Sequence, residues 1–188
     1  MYICRFNKLI KKSVCELIKT DIFADAAKRN WLNNQGNEEE LYPYLNELIR
    51  KKLNRTIDGI GYGKYKNRKE KTDCICYLNI NGEKQVYAVE LKGPSKDKAW
   101  VSKGIRDDLE KLKNLVKKKV INYGITVAIY LENYNDGTTV SYTQKLNINS
   151  SSVGVKIEIK NTQQVNSPDP TSCLRESAQA FWRWAWGR

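Results

Sequence analysis

The run Lys71–Lys92, KTDCICYLNINGEKQVYAVELK, decides how this chain folds. Its first half closes on Asn81-Gly82, the dipeptide that favours a type I′ turn because both central residues of that turn need positive φ. Its second half, Val86-Tyr87-Ala88-Val89-Glu90-Leu91-Lys92, is β-branched and aromatic, as a half-buried strand requires. The pattern predicts a β-hairpin. Side chains alternate across a strand, so Glu90 and Lys92 share one face while Leu91 points to the other. Asp73 lies on the neighbouring strand. Cys74 and Cys76 point away from the Asp73 face and read as small core hydrophobes.

Two carboxylates and an ammonium on adjacent strands are costly to bury without partners. The pattern therefore points to a divalent cation and a phosphate. Asp73 and Glu90 offer hard oxygen ligands for Mg²⁺, with Mn²⁺ as a substitute, and Lys92 would position a water or steady charge on a phosphoryl group. At these residues the chain resembles the PD-(D/E)XK phosphodiesterase superfamily, the restriction-endonuclease-like nucleases. Thr72-Asp73 matches with Thr where the family usually has Pro, and Glu90-Leu91-Lys92 matches as the E-x-K. The resemblance runs from about Glu38 to Glu132, in the family's order of helix, strands, E-x-K strand, helix, strand. It implies an α/β fold with a central mixed β-sheet flanked by helices, and a Mg-dependent nuclease with Asp73, Glu90 and Lys92 as catalytic residues. Ordinary solvated hairpin charges would give the same letters without the chemistry.

The chain has 188 residues, enough for one domain with a proper core. The expected division is a nuclease-like core over about 37–160, a helical N-terminal arm over 1–36 and a Trp-rich C-terminal tail over 161–188. Lys and Arg total 33 against 21 Asp and Glu, a formal charge of +12 that favours a polyanionic partner. Nucleic acid is the expected partner, DNA rather than RNA on the family's frequency, and the protein could act as a homodimer. No signal peptide and no long uncharged apolar run stands out, so the expectation is a cytoplasmic protein with no membrane partner. Five cysteines without a CxxC pair read as reduced thiols. Histidine is absent, which removes imidazole-based nucleases and Ser-His-Asp hydrolases.

Phe6, Leu9, Ile10, Val14, Leu17 and Ile18 recur at helical spacing, and Ile22–Trp31 reads as a second helical piece. The stripe suits packing on the core or pairing with a second copy. Asn37 is placed to cap a third helix with Glu38, Glu39 and Glu40 in its first turn. Glu38 falls on the stripe of Leu41, Leu45, Leu48 and Ile49 and would project towards the hairpin acids. By resemblance Glu38 is the third metal ligand, with Glu39 and Glu47 as lesser candidates.

The segment 54–72 carries Gly59, Gly61 and Gly63, then Lys64, Lys66, Arg68 and Lys69. It reads as a short strand opening into a basic loop that grips a phosphate backbone or stays solvated. Gly93-Pro94-Ser95 is expected to break the E-x-K strand, and Ser102 to cap a helix reaching Lys119. Near that helix start, Lys96, Lys98, Lys103 and Arg106 are candidates for contacts to nucleic acid, the last two by resemblance. Gly124–Leu131 reads as a strand buried on both faces and parallel to the E-x-K strand, since a helix crosses between them. Thr138–Leu146 follows a turn, and Val153–Ile159 alternates as an edge strand. Three of the five tryptophans cluster in the tail and suit docking, or stacking on bases. The rival to the nuclease is a non-catalytic nucleic-acid-binding or protein-interaction module on a nuclease-like fold.

Overall fold

The computed structural model describes residues 3–34, 38–53, 57–64, 71–80, 82–135 and 142–163. Asn37, the basic loop 65–70 with Lys66, Arg68 and Lys69, and the tail from 164 onward lie outside these residues. Among the described residues, four α-helices and a 3-10 turn surround one sheet of six strands: α1 (Ile3–Leu17), α2 (Asp21–Asn33), the 3-10 turn Glu38–Leu41, α3 (Tyr42–Leu53), β1 (Ile57–Lys64), β2 (Lys71–Ile80), β3 (Glu83–Ser95), α4 (Lys98–Lys117), β4 (Tyr123–Asn133), β5 (Gln144–Ile148) and β6 (Ser151–Asn161). Their order across the sheet is β1-β2-β3-β4-β6-β5. Only β3 and β4 run parallel, joined by the α4 crossover. The fold is α/β with a mixed sheet.

The expected hairpin forms, with Asn81 of its turn outside the described residues. Ile80 pairs with Glu83, and Gly82 sits at φ +85°, the left-handed conformation that suits glycine. The alternation of β2 and β3 then sorts their side chains between two cores. Cys74, Cys76, Leu78, Val89 and Leu91 face α1, α2 and α3 in the main core. Ile75 and Ala88 face α4, packing with Leu112 and Leu115. Further along α4, Val101 and Ile105 cover Ala128 and Tyr130 of β4.

The N-terminal helices are built into the main core. Phe6, Ile10, Val14 and Leu17 are fully buried, each worth about 1.5–3 kcal/mol of transfer free energy. The Phe6 ring meets Tyr87 of β3 edge-on at 4.9 Å, and Tyr123 of β4 donates from its hydroxyl to Asn7 at 2.8 Å. Thr20 caps α2, its side chain accepting from the Phe23 amide at 3.3 Å.

Several boundaries differ from the sequence expectations, each for a local reason. Glu38–Leu41 forms a 3-10 turn, and the α-helix begins at Tyr42. Pro43 explains the restart: it lacks an N–H and its ring crowds the carbonyl four residues back, so it belongs in a helix's first turn. β1 is a full strand of 8 residues with the glycines inside it, and register shifts fall at Ile57/Gly59 and Gly61/Gly63, where glycine tolerates bulges. β3 is not broken at Gly93-Pro94 but continues to Ser95 through a register irregularity after Lys92, which accommodates a proline with no amide to pair.

Asp97, not Ser102, caps α4, its carboxylate accepting from the Trp100 amide at 2.9 Å. β6 is an interior strand, because the turn between Ile148 and Ser151 is short enough to fold β5 back along its outer side. The expected strand before it is the shorter Gln144–Ile148, residues 136–141 being undescribed. Cys15, Cys74 and Cys76 are free thiols; Cys4, against expectation, is disulfide-bonded. No helix among the described residues is long and apolar enough to cross a membrane.

Candidate active site

The site lies where β2 and β3 part. Their ladder runs from Ile80↔Glu83 to Cys74↔Val89 and stops there. From Glu90 onward β3 pairs only with β4, as Glu90↔Thr126, Leu91↔Val127 and Lys92↔Ala128. Asp73 stands in the gap, and its Oδ2 accepts from the Leu91 amide at 2.7 Å, so a side chain takes over the bond the backbone ladder would have supplied. The Tyr42 hydroxyl of α3 stands beside the same carboxylate and favours its ionised form.

Glu90 is almost wholly buried at 3% exposure. Lys111 of α4 brings its Nζ to 2.7 Å from Glu90 Oε1, and the same Nζ lies 3.4 Å from Asp108 Oδ1. The Glu90–Lys111 contact is a close, largely buried ion pair. On the other side Lys92 Nζ stands 2.7 Å from Glu38 Oε1 and 3.9 Å from Asp108 Oδ2. Glu38 Oε2 accepts from the Gly93 amide at 3.2 Å. The stem of Lys92 lies so close to Gly104 that an added Cβ there would sit 2.6 Å from Lys92 Cε. Its ammonium is 5.1 Å from the centroid of the Trp100 ring, in cation–π range.

Four carboxyls (Glu38, Asp73, Glu90, Asp108) thus face two ammoniums (Lys92, Lys111), an excess of two negative charges when all are ionised. The titration shifts follow. Burial raises Glu90 to about 9, aided by the Asp73 charge and only partly opposed by Lys111. Burial likewise raises Asp73 to about 6, against the lowering effect of the Leu91 and Tyr42 hydrogen bonds. For Lys92 burial works against the charge, but the Glu38 carboxylate outweighs it and the ammonium is held more firmly than usual. Burial and the neighbouring carboxylates also push the Tyr42 phenol well above its ordinary range.

The structure therefore brings Asp73, Glu90, Lys92 and Glu38 together. Among the described residues no three acids or thiols are closed around one point as a ready-made metal cage; Glu38 and Glu90 turn towards the lysines instead. Glu47 is exposed and pairs with Arg50 and Lys51, and Glu39 is also exposed. Lys103 and Arg106 are exposed on α4 and are not brought to the cluster. Lys96 donates from Nζ to the Trp31 carbonyl at 2.7 Å, and Lys98 pairs with Glu132 at 3.1 Å. Lys64 ends β1.

Sequence reading missed Tyr42, Gly104, Asp108 and Lys111. The last three recur at spacings of four and three on α4, the spacing of a single helix face, so periodicity alone could have placed them together. Beside the cluster is a cavity of about 240 Å³ lined by Asn30, Asn34, Glu38, Pro94, Asp97 and Trp100, among others. No known family model, no curated protein and no solved structure matches the chain.

Proposed function

We propose that the chain is a divalent-metal-dependent nuclease of the PD-(D/E)XK type that hydrolyses phosphodiester bonds in nucleic acid, with DNA preferred and defence or repair as the setting. One observation carries this reading: Asp73 and Glu90 meet at the fork of two antiparallel strands, with Lys92 projecting beside Glu90. The order α3, β1, β2, β3, α4, β4, with β3 and β4 parallel, is compatible with the order that the resemblance implies, and supports the reading.

The donor set fits Mg²⁺ or Mn²⁺. Asp73 and Glu90 are hard oxygen donors on adjacent strands, and burial, joined for Glu90 by the neighbouring Asp73 charge, drives both towards protonation, a cost that a bound cation would relieve. Asp73 and Glu90 would hold the ion, with Glu38 as third acid by resemblance. When bound, it would supply activation of water and neutralise charge at phosphorus. The chain's own residues do the rest. The Leu91 amide and the Tyr42 hydroxyl fix the Asp73 carboxylate, and Lys111 orients Glu90. Lys92, its ammonium held charged by Glu38, is suited to donate to a phosphoryl oxygen rather than to take a proton.

The test is incubation of plasmid DNA and structured RNA with Mg²⁺ or Mn²⁺, with and without EDTA, beside Asp73→Ala and Lys92→Ala. Metal-dependent cutting lost in both variants is expected; equal cutting by Asp73→Ala would remove the enzyme reading. A second reading, a non-catalytic nucleic-acid-binding or protein-interaction module, is favoured by the pairing of Lys92 with Glu38 and Lys111 with Glu90, which leaves both lysines already engaged by carboxylates of the chain itself. Binding without cutting under any metal would select it.

A further inference from the structure

Trp100 is 47% exposed, although Val101 and Ile105 beside it on α4 are buried. Its ring walls the cavity of about 240 Å³ between the end of α2, Glu38, the end of β3 and the start of α4. That volume is below the roughly 300–1,000 Å³ of sites for drug-sized ligands, so the cavity suits one ring system and not a larger body. Its walls are preset: Asn30 Oδ1 accepts from the Lys96 amide at 3.0 Å, and Asp97 is occupied by the Trp100 amide. An aromatic face and amide side chains are the parts that hold a base; the walls also carry the Glu38 and Asp97 carboxylates, the first of them paired with the adjoining Lys92 ammonium.

Resting on the nuclease reading of Lys92, we propose that this cavity takes one unpaired nucleobase of single-stranded nucleic acid, stacked on Trp100, next to the phosphate that Lys92 meets. A base inside a duplex already has its faces stacked and its edge paired, so it cannot enter without being extruded. The preferred substrates are then single strands, flaps and frayed ends.

Binding is measured by fluorescence anisotropy in EDTA, where cutting is suppressed, using end-labelled single-stranded DNA and RNA oligonucleotides and abasic strands of equal length. The wild type should bind the base-bearing strand more tightly than the abasic one. Trp100→Ala should weaken the base-bearing strand ~5- to 150-fold, the range stacking supplies, and should leave the salt slope unchanged because no charge is lost. Trp100→Phe should keep most of the affinity, and the DNA and RNA arms report which sugar is accepted.

Equal binding of abasic and base-bearing strands by the wild type, or an unchanged ratio in Trp100→Ala, overturns the proposal. If Trp100→Ala does not fold, Asn34→Gly removes a lining amide at a left-handed position glycine tolerates, and an unchanged ratio there overturns it equally. Trp100-dependent base preference without cleavage in Mg²⁺ sinks the nuclease reading alone. Cleavage with the preference unaltered in Trp100→Ala sinks this one alone.

Discussion

Lys92 Nζ and Glu38 Oε1 stand 2.7 Å apart although 54 residues separate them, and both side chains are about four-fifths shielded from water. Removing either leaves the other half-buried and short of a partner, a cost larger than that of an exposed pair. Glu38→Gln is expected to destabilise the protein by about 1–3 kcal/mol in urea denaturation, and Glu38→Gln with Lys92→Met to recover part of that loss. Strict additivity of the two substitutions would show that the pair contributes nothing.

Gly104 permits the Lys92 stem to lie against α4. Alanine there gains up to about 1 kcal/mol of helix propensity, but its Cβ would sit 2.6 Å from Lys92 Cε and 2.9 Å from Cδ. Gly104→Ala should therefore leave stability within about 1 kcal/mol of wild type while displacing the ammonium, with cleavage falling roughly tenfold or more as expected for a misplaced catalytic group. Unaltered cleavage would mean that the position of Lys92 is not critical.

Glu90 makes a pH prediction whose sign is fixed. Its folded pKa of about 9 lies above the ordinary 4.5, so the folded protein binds this proton more tightly than the unfolded chain. That stability is fully present below about pH 4.5 and is lost as pH rises towards 9; Asp73, raised to about 6, acts the same way between about 4 and 6. Glu90→Gln should flatten the melting profile and raise Tm at pH 9 by about 2–8 °C, at 2–4 °C per kcal/mol for a chain of this size. A profile parallel to wild type would remove Glu90 as the cause.

Divalent metal should act in the opposite sense. Mg²⁺ or Mn²⁺ at pH 8 should raise the Tm of the wild type, the increment growing with the logarithm of metal concentration, and EDTA should abolish it. Asp73→Asn or Glu90→Gln should lose most of the increment. An equal increment in both variants would place the metal elsewhere.

Gly93 is the backbone counterpart of these side-chain constraints. It sits at φ +97°, its amide is bonded to Glu38, and a Cβ would fall 2.2 Å from the Ile129 carbonyl oxygen. Gly93→Ala is expected to cost about 2–4 kcal/mol, read as a fall in the urea midpoint with the m-value unchanged.

Much of this site was legible in the letters. Asn81-Gly82 and the alternation around Glu90 determined the hairpin and the face shared by Glu90 and Lys92, because turn chemistry and a period of two are local properties. The stripe through Phe6, Ile10 and Val14 determined α1 and the need to bury it, and the apolar run 124–131 determined an inner strand.

Other features were decided only by the tertiary structure. The parting of β2 from β3 after Cys74 puts a carboxylate on the Leu91 amide, and no local pattern records where two strands diverge. The crossover that lays α4 over β3 turns Asp108 and Lys111, otherwise ordinary helix charges, into partners of Lys92 and Glu90. It leaves Lys103 and Arg106 in solvent. Sequence sets which groups a strand or helix presents on each face; packing of one element on another sets which of them meet, and burial there sets their charge.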